Sequence, residues 1–209
     1  MASNQFKCFL FLLMGILYLS CEYNEKSNDP QTGVNPQVSA VKENLATGLD
    51  KSPMDMSYYP PDYPKLKMSG SIQRLPIARV IYSRPKKDGR IIFGNVVKYG
   101  TPWRLGANEA TEIEFFEDVT ILNKRIKKNR YVIYCKPFEN SWTLILNNDL
   151  FTWGLKIDST QDMYSFDIPI AKTKYPFEVF TMEFQKADTG MHLVMAWDSV
   201  KANLPIKGF

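Results

Sequence analysis

Between Trp103 and Thr111 the chain reads Trp-Arg-Leu-Gly-Ala-Asn-Glu-Ala-Thr, which gathers an Arg, an Asn, a Glu and a Thr around Gly106. Loops held on a rigid sheet are where binding sites form. In such a loop Arg104 is suited to fork onto a carboxylate or phosphate, and Asn108 to donate and accept at a sugar-like edge. Glu109 is suited to act as acceptor or general base. With Trp103 and Thr111 they form a candidate binding set. The same residue types also build a tight corner, in which Arg104 pairs with Glu109 while Asn108 and Thr111 bond exposed loop backbone.

Upstream, Arg84 and Arg90 flank the loop Pro85-Lys86-Lys87-Asp88-Gly89. Together with Arg104 they can form a cationic pocket for an acidic group, or stand as solvated loop charges. A second basic group, Lys124, Arg125, Lys127, Lys128 and Arg130, brackets an expected hairpin. It suits weak attraction to anionic lipid or polysaccharide, but edge lysines also prevent strand-to-strand aggregation, and that second explanation is preferred.

Other chemistry finds little support. His192 is the one histidine, and no Ser, Cys or Asp motif beside it supplies a triad. Cys135 alternates with Tyr131 and Ile133 and is read as a small buried hydrophobe. Gly89 and Gly94 are too isolated to cradle phosphate, and Asp158, Asp162 and Asp167 do not match a calcium loop. No catalytic residue, metal or cofactor is assigned. The net charge of +4 falls short of the dense charge of a nucleic-acid binder, so nucleic acid is not an expected partner.

The chain opens on an address. Phe9 to Leu19 is an unbroken apolar run after Lys7, too short to span a bilayer as a permanent helix, and reads as a secretory signal. It ends in Leu17-Tyr18-Leu19-Ser20-Cys21, which resembles the lipobox of bacterial lipoproteins, although Tyr18 stands where that pattern prefers Leu. The resemblance implies cleavage before Cys21, lipid attachment to it, and a place on the cell envelope at the outer membrane. The alternative is an ordinary signal peptide or an uncleaved anchor. Glu22 and Glu25 resemble surface-export signals of some lipoproteins, and equally solvate a tether. The expected organisation is a signal peptide over 1–20, a lipidated Cys with a polar tether over 21–51, and a folded domain over 52–209. A short, weak helix is possible at Val38 to Leu45.

That domain must position the candidate residues. Aromatic side chains make up 13% of the 209 residues, and with the β-branched residues they favour sheet over helix. Strands are expected at 77–83, 91–97, 111–116, 119–122, 130–136, 141–147, 163–171, 178–186, 190–198 and 200–206, with nothing longer than a turn of helix. Period-two alternation sets Ile113 and Phe115 on one face, then Trp142, Leu144 and Leu146, then Phe180, Met182 and Phe184, then Leu193, Met195 and Trp197. The expected fold class is all-β, a single antiparallel β-sandwich of about nine or ten short strands.

Tyr82-Ser83-Arg84-Pro85, Gly89-Arg90-Ile91-Ile92-Phe93-Gly94, Tyr99-Gly100 and Trp103 to Thr111 occur in an order and spacing that resemble a bacterial secreted family known as domain of unknown function 2911. Trp142 to Asn147, Trp153-Gly154 and Trp197 extend the likeness from Ser52 onward. Leu105 stands where that family usually has Thr, and Lys127-Lys128-Asn129-Arg130-Tyr131 replaces a Pro-Ala-Gly-Thr-Tyr turn. The resemblance implies an extracytoplasmic setting and carries no activity. Two functions are therefore expected to compete. One is a non-enzymatic binding or assembly module for a glycan, an acidic group or an envelope protein, held to the membrane by its lipid anchor. The other is a hydrolase-like enzyme using Glu109 and Arg104 in a pocket near Trp103.

Overall fold

In the computed structural model, which describes residues 50–208, the chain runs β1 (Met54–Tyr59), α1 (Tyr63–Met68), β2 (Ala78–Ser83), β3 (Glu112–Phe115), β4 (Val119–Ile121), β5 (Lys124–Ile126), β6 (Asn129–Pro137), β7 (Ser141–Asn147), β8 (Asp162–Ala187) and β9 (Gly190–Gly208). The expected signal peptide, Cys21, the Val38 to Leu45 helix and the tether up to residue 49 lie outside the described residues. Every strand pairing is antiparallel, and the nine strands follow the order β1-β2-β3-β6-β7-β8-β9-β4-β5. The all-β class and the strand number hold. The hydrogen-bonded order is one open sheet, which β8 and β9 carry around the core.

Alternation builds the core as expected. Ile113 and Phe115 are buried beneath an outward row of Glu112 and Glu114, and Trp142, Leu144, Leu146, Phe180, Met182, Phe184, Leu193, Met195 and Trp197 all enter the same apolar cluster. The outward face of β2, β3 and β6 carries a charge ladder, with Arg79 on Glu114 at 2.7 Å and Arg130 near Glu112 and Glu114 at 3.6 and 3.7 Å. Cross-strand pairs of this kind set register as well as adding modest stability.

Four of the expected short strands fuse into two long ones. β8 spans 26 residues, pairing with β7 through Pro169 and with β9 from Ile170 onward. Its register shifts between Lys172 and Phe177 and again before Thr181, the irregular stretch that accommodates Pro176. On β9, Asp198 takes a φ of 49°. The bend there is deep enough that a Cβ added at Gly190 would lie 2.4 Å from the carbonyl oxygen of Ile206, near the other end of the same strand.

The remaining edge of β8 is closed by small groups from the β1 and β2 region. The Phe184 N–H donates to Ser57 Oγ at 3.1 Å, the Phe180 N–H to the Pro85 carbonyl at 3.0 Å, and the Lys87 N–H to the Glu178 carbonyl at 2.6 Å. A sheet edge dealt with in this way offers little template for another chain.

Two expectations need correction. Residues 91–97 are a compact turn and not a strand. Gly94 adopts a φ of 88°, the Gly94 N–H meets the Val97 carbonyl at 2.8 Å, and the Val97 N–H meets the Ile92 carbonyl at 2.9 Å. Ile92 and Val97 are buried, so the apolar run serves as a plug and not a ladder. Secondly, α1 exceeds one turn of helix, with Pro64 in its first turn, where the missing N–H costs nothing. Strands β1 and β5, both outside the expected set, are the two edges of the sheet.

Candidate functional site

Trp103 is fixed first. Its N–H donates to the Cys135 carbonyl at 2.7 Å and its carbonyl accepts from the Cys135 N–H at 2.9 Å, which clips the loop onto β6. The indole then sits among four other rings, with centroids 5.1 Å from Phe180 and 5.8 Å from Phe93, Trp142 and Trp197. Its Nε1–H donates to the Gly106 carbonyl at 3.2 Å. Each such aromatic pair contributes about 0.5–1.5 kcal/mol beyond area burial, so this cluster anchors the loop rigidly.

The next residues form the tight corner. Leu105 and Asn108 occupy left-handed backbone conformations, with φ of 53° and 58°. Gly106 is required by contact, since a Cβ there would fall 2.8 Å from Ser83 Oγ. That buried hydroxyl accepts from the Ala107 N–H at 2.6 Å and donates to the Ala107 carbonyl. Thr111 Oγ1 donates to the Leu105 carbonyl at 2.7 Å, and Asn108 Nδ2 donates to Asp50 Oδ2 at 2.9 Å and the Ser52 carbonyl at 3.0 Å. Asn108 and Thr111 thus hold loop backbone, the structural role open to them in the sequence.

Arg104 and Glu109 do not pair. Arg104 donates through Nη1 to the Trp153 carbonyl at 2.9 Å, and partial burial draws its guanidinium below the ordinary arginine range while leaving it charged. Glu109 is exposed and lines a different cleft, of about 370 Å³, with Glu112, Phe151 and Trp153. Arg104 instead shares a cavity of about 360 Å³ with Arg90, Trp103, Trp197, Gly154 and Leu155. Arg90 donates from Nε to the Lys87 carbonyl at 2.9 Å and from Nη2 to that of Lys86. Neither guanidinium has a carboxylate partner among the described residues. Trp197 is 2% exposed, and its Nε1–H is buried without a hydrogen-bond partner among the described residues.

Arg84 lies outside this cavity. It ion-pairs with Asp55 at 3.1 Å and reaches the Phe180 carbonyl and Thr181 Oγ1 on β8 at 3.4 and 3.3 Å. Beside it, burial pushes the Tyr82 phenol up to about 12, so that it remains a neutral donor to Asp55 Oδ2 at 3.3 Å.

The sequence reading left one part of the site unassigned. Phe151, Trp153 and Leu155 are 84%, 57% and 73% exposed and form a ridge on the β7–β8 connection. Leu155 lines the arginine cavity, while Phe151 and Trp153 line the Glu109 cleft, so the ridge separates the two. Gly154 lies against Arg104, and a Cβ added there would come within 3.0 Å of Arg104 Cβ. Four large apolar residues, Leu150, Phe151, Trp153 and Leu155, between Asn147-Asn148-Asp149 and Lys156 are visible in the sequence as an unusual loop composition. Trp197 was legible only as a core residue.

The second basic group is organised quite differently. Asp118 Oδ2 accepts from Arg125 Nε at 2.9 Å and Lys127 Nζ at 3.3 Å, while Oδ1 accepts the Lys128 N–H at 2.8 Å. These bonds, the backbone one foremost, pull the Asp118 carboxyl down to about 2. They also hold the charged turn that replaces the Gly-containing one of the resembled family. Lys124 donates to the Ser165 carbonyl at 2.9 Å and lies over the Phe166 ring at 5.5 Å.

Cys135 is buried on β6, and desolvation raises its thiol well above the ordinary range, which makes it unreactive. Among the described residues no three His, Cys, Asp or Glu side chains gather as they would around a metal ion, and no helix is long and apolar enough to cross a membrane.

No curated protein and no solved structure matches the chain. A family profile does match, over residues 64–206, a span that includes the arginine cavity, the Trp103 corner and the exposed ridge. The chain therefore belongs to the family described as "Protein of unknown function (DUF2911)".

Proposed function

We propose that this protein is a non-enzymatic binding module of the bacterial cell envelope, carried on lipid at Cys21, which recognises an acidic group on a glycan or an envelope protein. One observation carries the binding half of this reading. Arg90 and Arg104 line one cavity with Trp103 and Trp197, and neither guanidinium has a carboxylate among the described residues. Guanidinium groups beside a low-dielectric wall favour an incoming anion, and their planar forks match carboxylate and phosphate oxygens. The competing hydrolase reading requires Glu109 to act in the cavity of Arg104, and Glu109 lines another cleft.

The binding half is tested by titrating the full chain with inorganic phosphate and with galacturonic acid, in parallel with Arg104→Gln. Arg104-dependent binding supports the reading, and an unchanged weak response from both proteins overturns it. The anchoring half rests on the sequence around Cys21. Cys21→Ser should abolish labelling by a palmitate analogue and release the protein from membranes, and persistent membrane association would refute the anchor.

A further inference from the structure

Five features surround the arginine cavity, and together they say more than that an anion enters it. The cavity is small, about 360 Å³, at the lower end of what ligand pockets occupy. A second cleft of similar size, about 370 Å³, is lined by Phe151, Thr152 and Trp153, the residues that directly precede Gly154 and Leu155 of the first. The two differ in charge, since Arg90 and Arg104 line the first while Glu109 and Glu112 line the second. The ridge between them presents Trp153 at 57% exposure. Finally, the buried Trp197, one of the residues lining the first cavity, keeps an Nε1–H with no acceptor among the described residues.

We infer that the site takes a short acidic oligosaccharide that crosses the ridge, with a carboxylate-bearing sugar in the Arg90–Arg104 cavity, a ring stacked on Trp153, and a neutral hydroxylated residue in the Glu109 cleft. This rests on the binding reading above and narrows it to a ligand class. The charge difference between the clefts sets the polarity of the ligand. A carboxylate is attracted by the two guanidinium groups and repelled by Glu109, whereas uncharged hydroxyls can donate to the Glu109 carboxylate. An exposed indole offers a flat apolar face to the C–H surface of a sugar while leaving the ring's hydroxyls in water.

An anionic membrane is the other surface an exposed Phe-Trp-Leu loop can meet. It fits less well here. A bilayer is flat and would have to press its own negative charge against Glu109 on the flank of the inserted ridge.

The test is calorimetric titration of the full chain with a linear trisaccharide that carries one terminal galacturonic acid on two neutral sugars, its carboxyl-reduced counterpart, galacturonic acid and phosphatidylglycerol vesicles. Wild type, Arg104→Gln, Arg90→Gln and Trp153→Ala are compared, each checked by thermal melting. Arg90 is exposed, so Arg90→Gln keeps the test open should Arg104→Gln fold poorly.

The trisaccharide is expected to bind at least tenfold tighter than galacturonic acid, and Trp153→Ala to erase that gain while leaving galacturonic acid binding intact. Carboxyl reduction or loss of either Arg should weaken trisaccharide binding at least tenfold. If galacturonic acid binds through Arg104 but the trisaccharide gains nothing and Trp153→Ala has no effect, the oligosaccharide inference fails and the anion reading survives. If no anion binds, both fall. Trp153-dependent binding to the vesicles, with none to the trisaccharide, makes the ridge a membrane contact and overturns the inference.

Discussion

The protein carries two clusters of positive charge that look alike in the sequence and are opposites in the structure. Around the β4–β5 hairpin, one carboxylate, Asp118, takes Arg125, Lys127 and the Lys128 backbone, so the basic run is tied up within the fold. Around the Trp103 corner, Arg90 and Arg104 are held by backbone carbonyls alone. A carbonyl fixes the direction of a guanidinium without neutralising it. Charge density along the chain therefore does not reveal which cations the fold has neutralised, whereas the kind of group that holds each cation does.

The arginine cavity is most vulnerable at its aromatic base. Trp103→Ala removes the ring at the centre of the aromatic cluster and is expected to destabilise the domain by about 3–5 kcal/mol, read as a large drop in melting temperature with loss of all anion binding. Equal stability in the variant would mean that the corner does not rest on the rings.

Gly154→Ala comes next. It forces a side chain onto a φ of 74° and against Arg104, at about 1–2 kcal/mol of strain. Anion affinity should fall with the melting temperature, because the arginine is displaced.

Arg104→Gln should separate the two properties, lowering affinity tenfold or more while leaving the melting temperature nearly unchanged. Arg125→Gln should do the reverse on a smaller scale, with lower stability and no change in anion binding.

The smallest effect is expected at Asp118. Its folded pKa of about 2 lies below the ordinary 3.8, so its contribution to stability is fully present above about pH 4 and is lost as the pH falls through 2. Asp118→Asn should therefore melt slightly below wild type at pH 7, and the gap should close on acidification across that window. A gap that widens toward low pH would contradict the pairing.

The faces of the strands were legible because burial and period two agree. Glu112-Ile113-Glu114-Phe115 and Trp142-Thr143-Leu144-Ile145-Leu146 each read correctly from alternation. The breaks were less legible. Pro176 and Asp198-Ser199 read as strand ends, yet the ladder tolerates them through register shifts and a left-handed residue. Residues 91–97 had strand composition, but Gly94-Asn95 turned them back on themselves. At the site, Asn108 and Thr111 could be read either as binding or as corner residues, and only their partners decide between these. The meeting of Arg90 with Arg104, and their separation from Arg84 and Glu109, depends on contacts made through β8 and the 151–155 ridge, which local pattern does not encode.

The bend in the β8–β9 hairpin sets a timetable for the chain. The Phe184 N–H bond to Ser57 joins residues 127 positions apart, and the Tyr59 hydroxyl meets the Gly190 carbonyl across 131. Pairings this remote carry a heavy loop-closure penalty before any contact offsets it, which places the domain among folds that close in milliseconds to seconds and not microseconds. Because Trp197 lies on β9 and stacks on Trp103, the aromatic cluster beneath Arg104 is completed only once that long-range closure has been made.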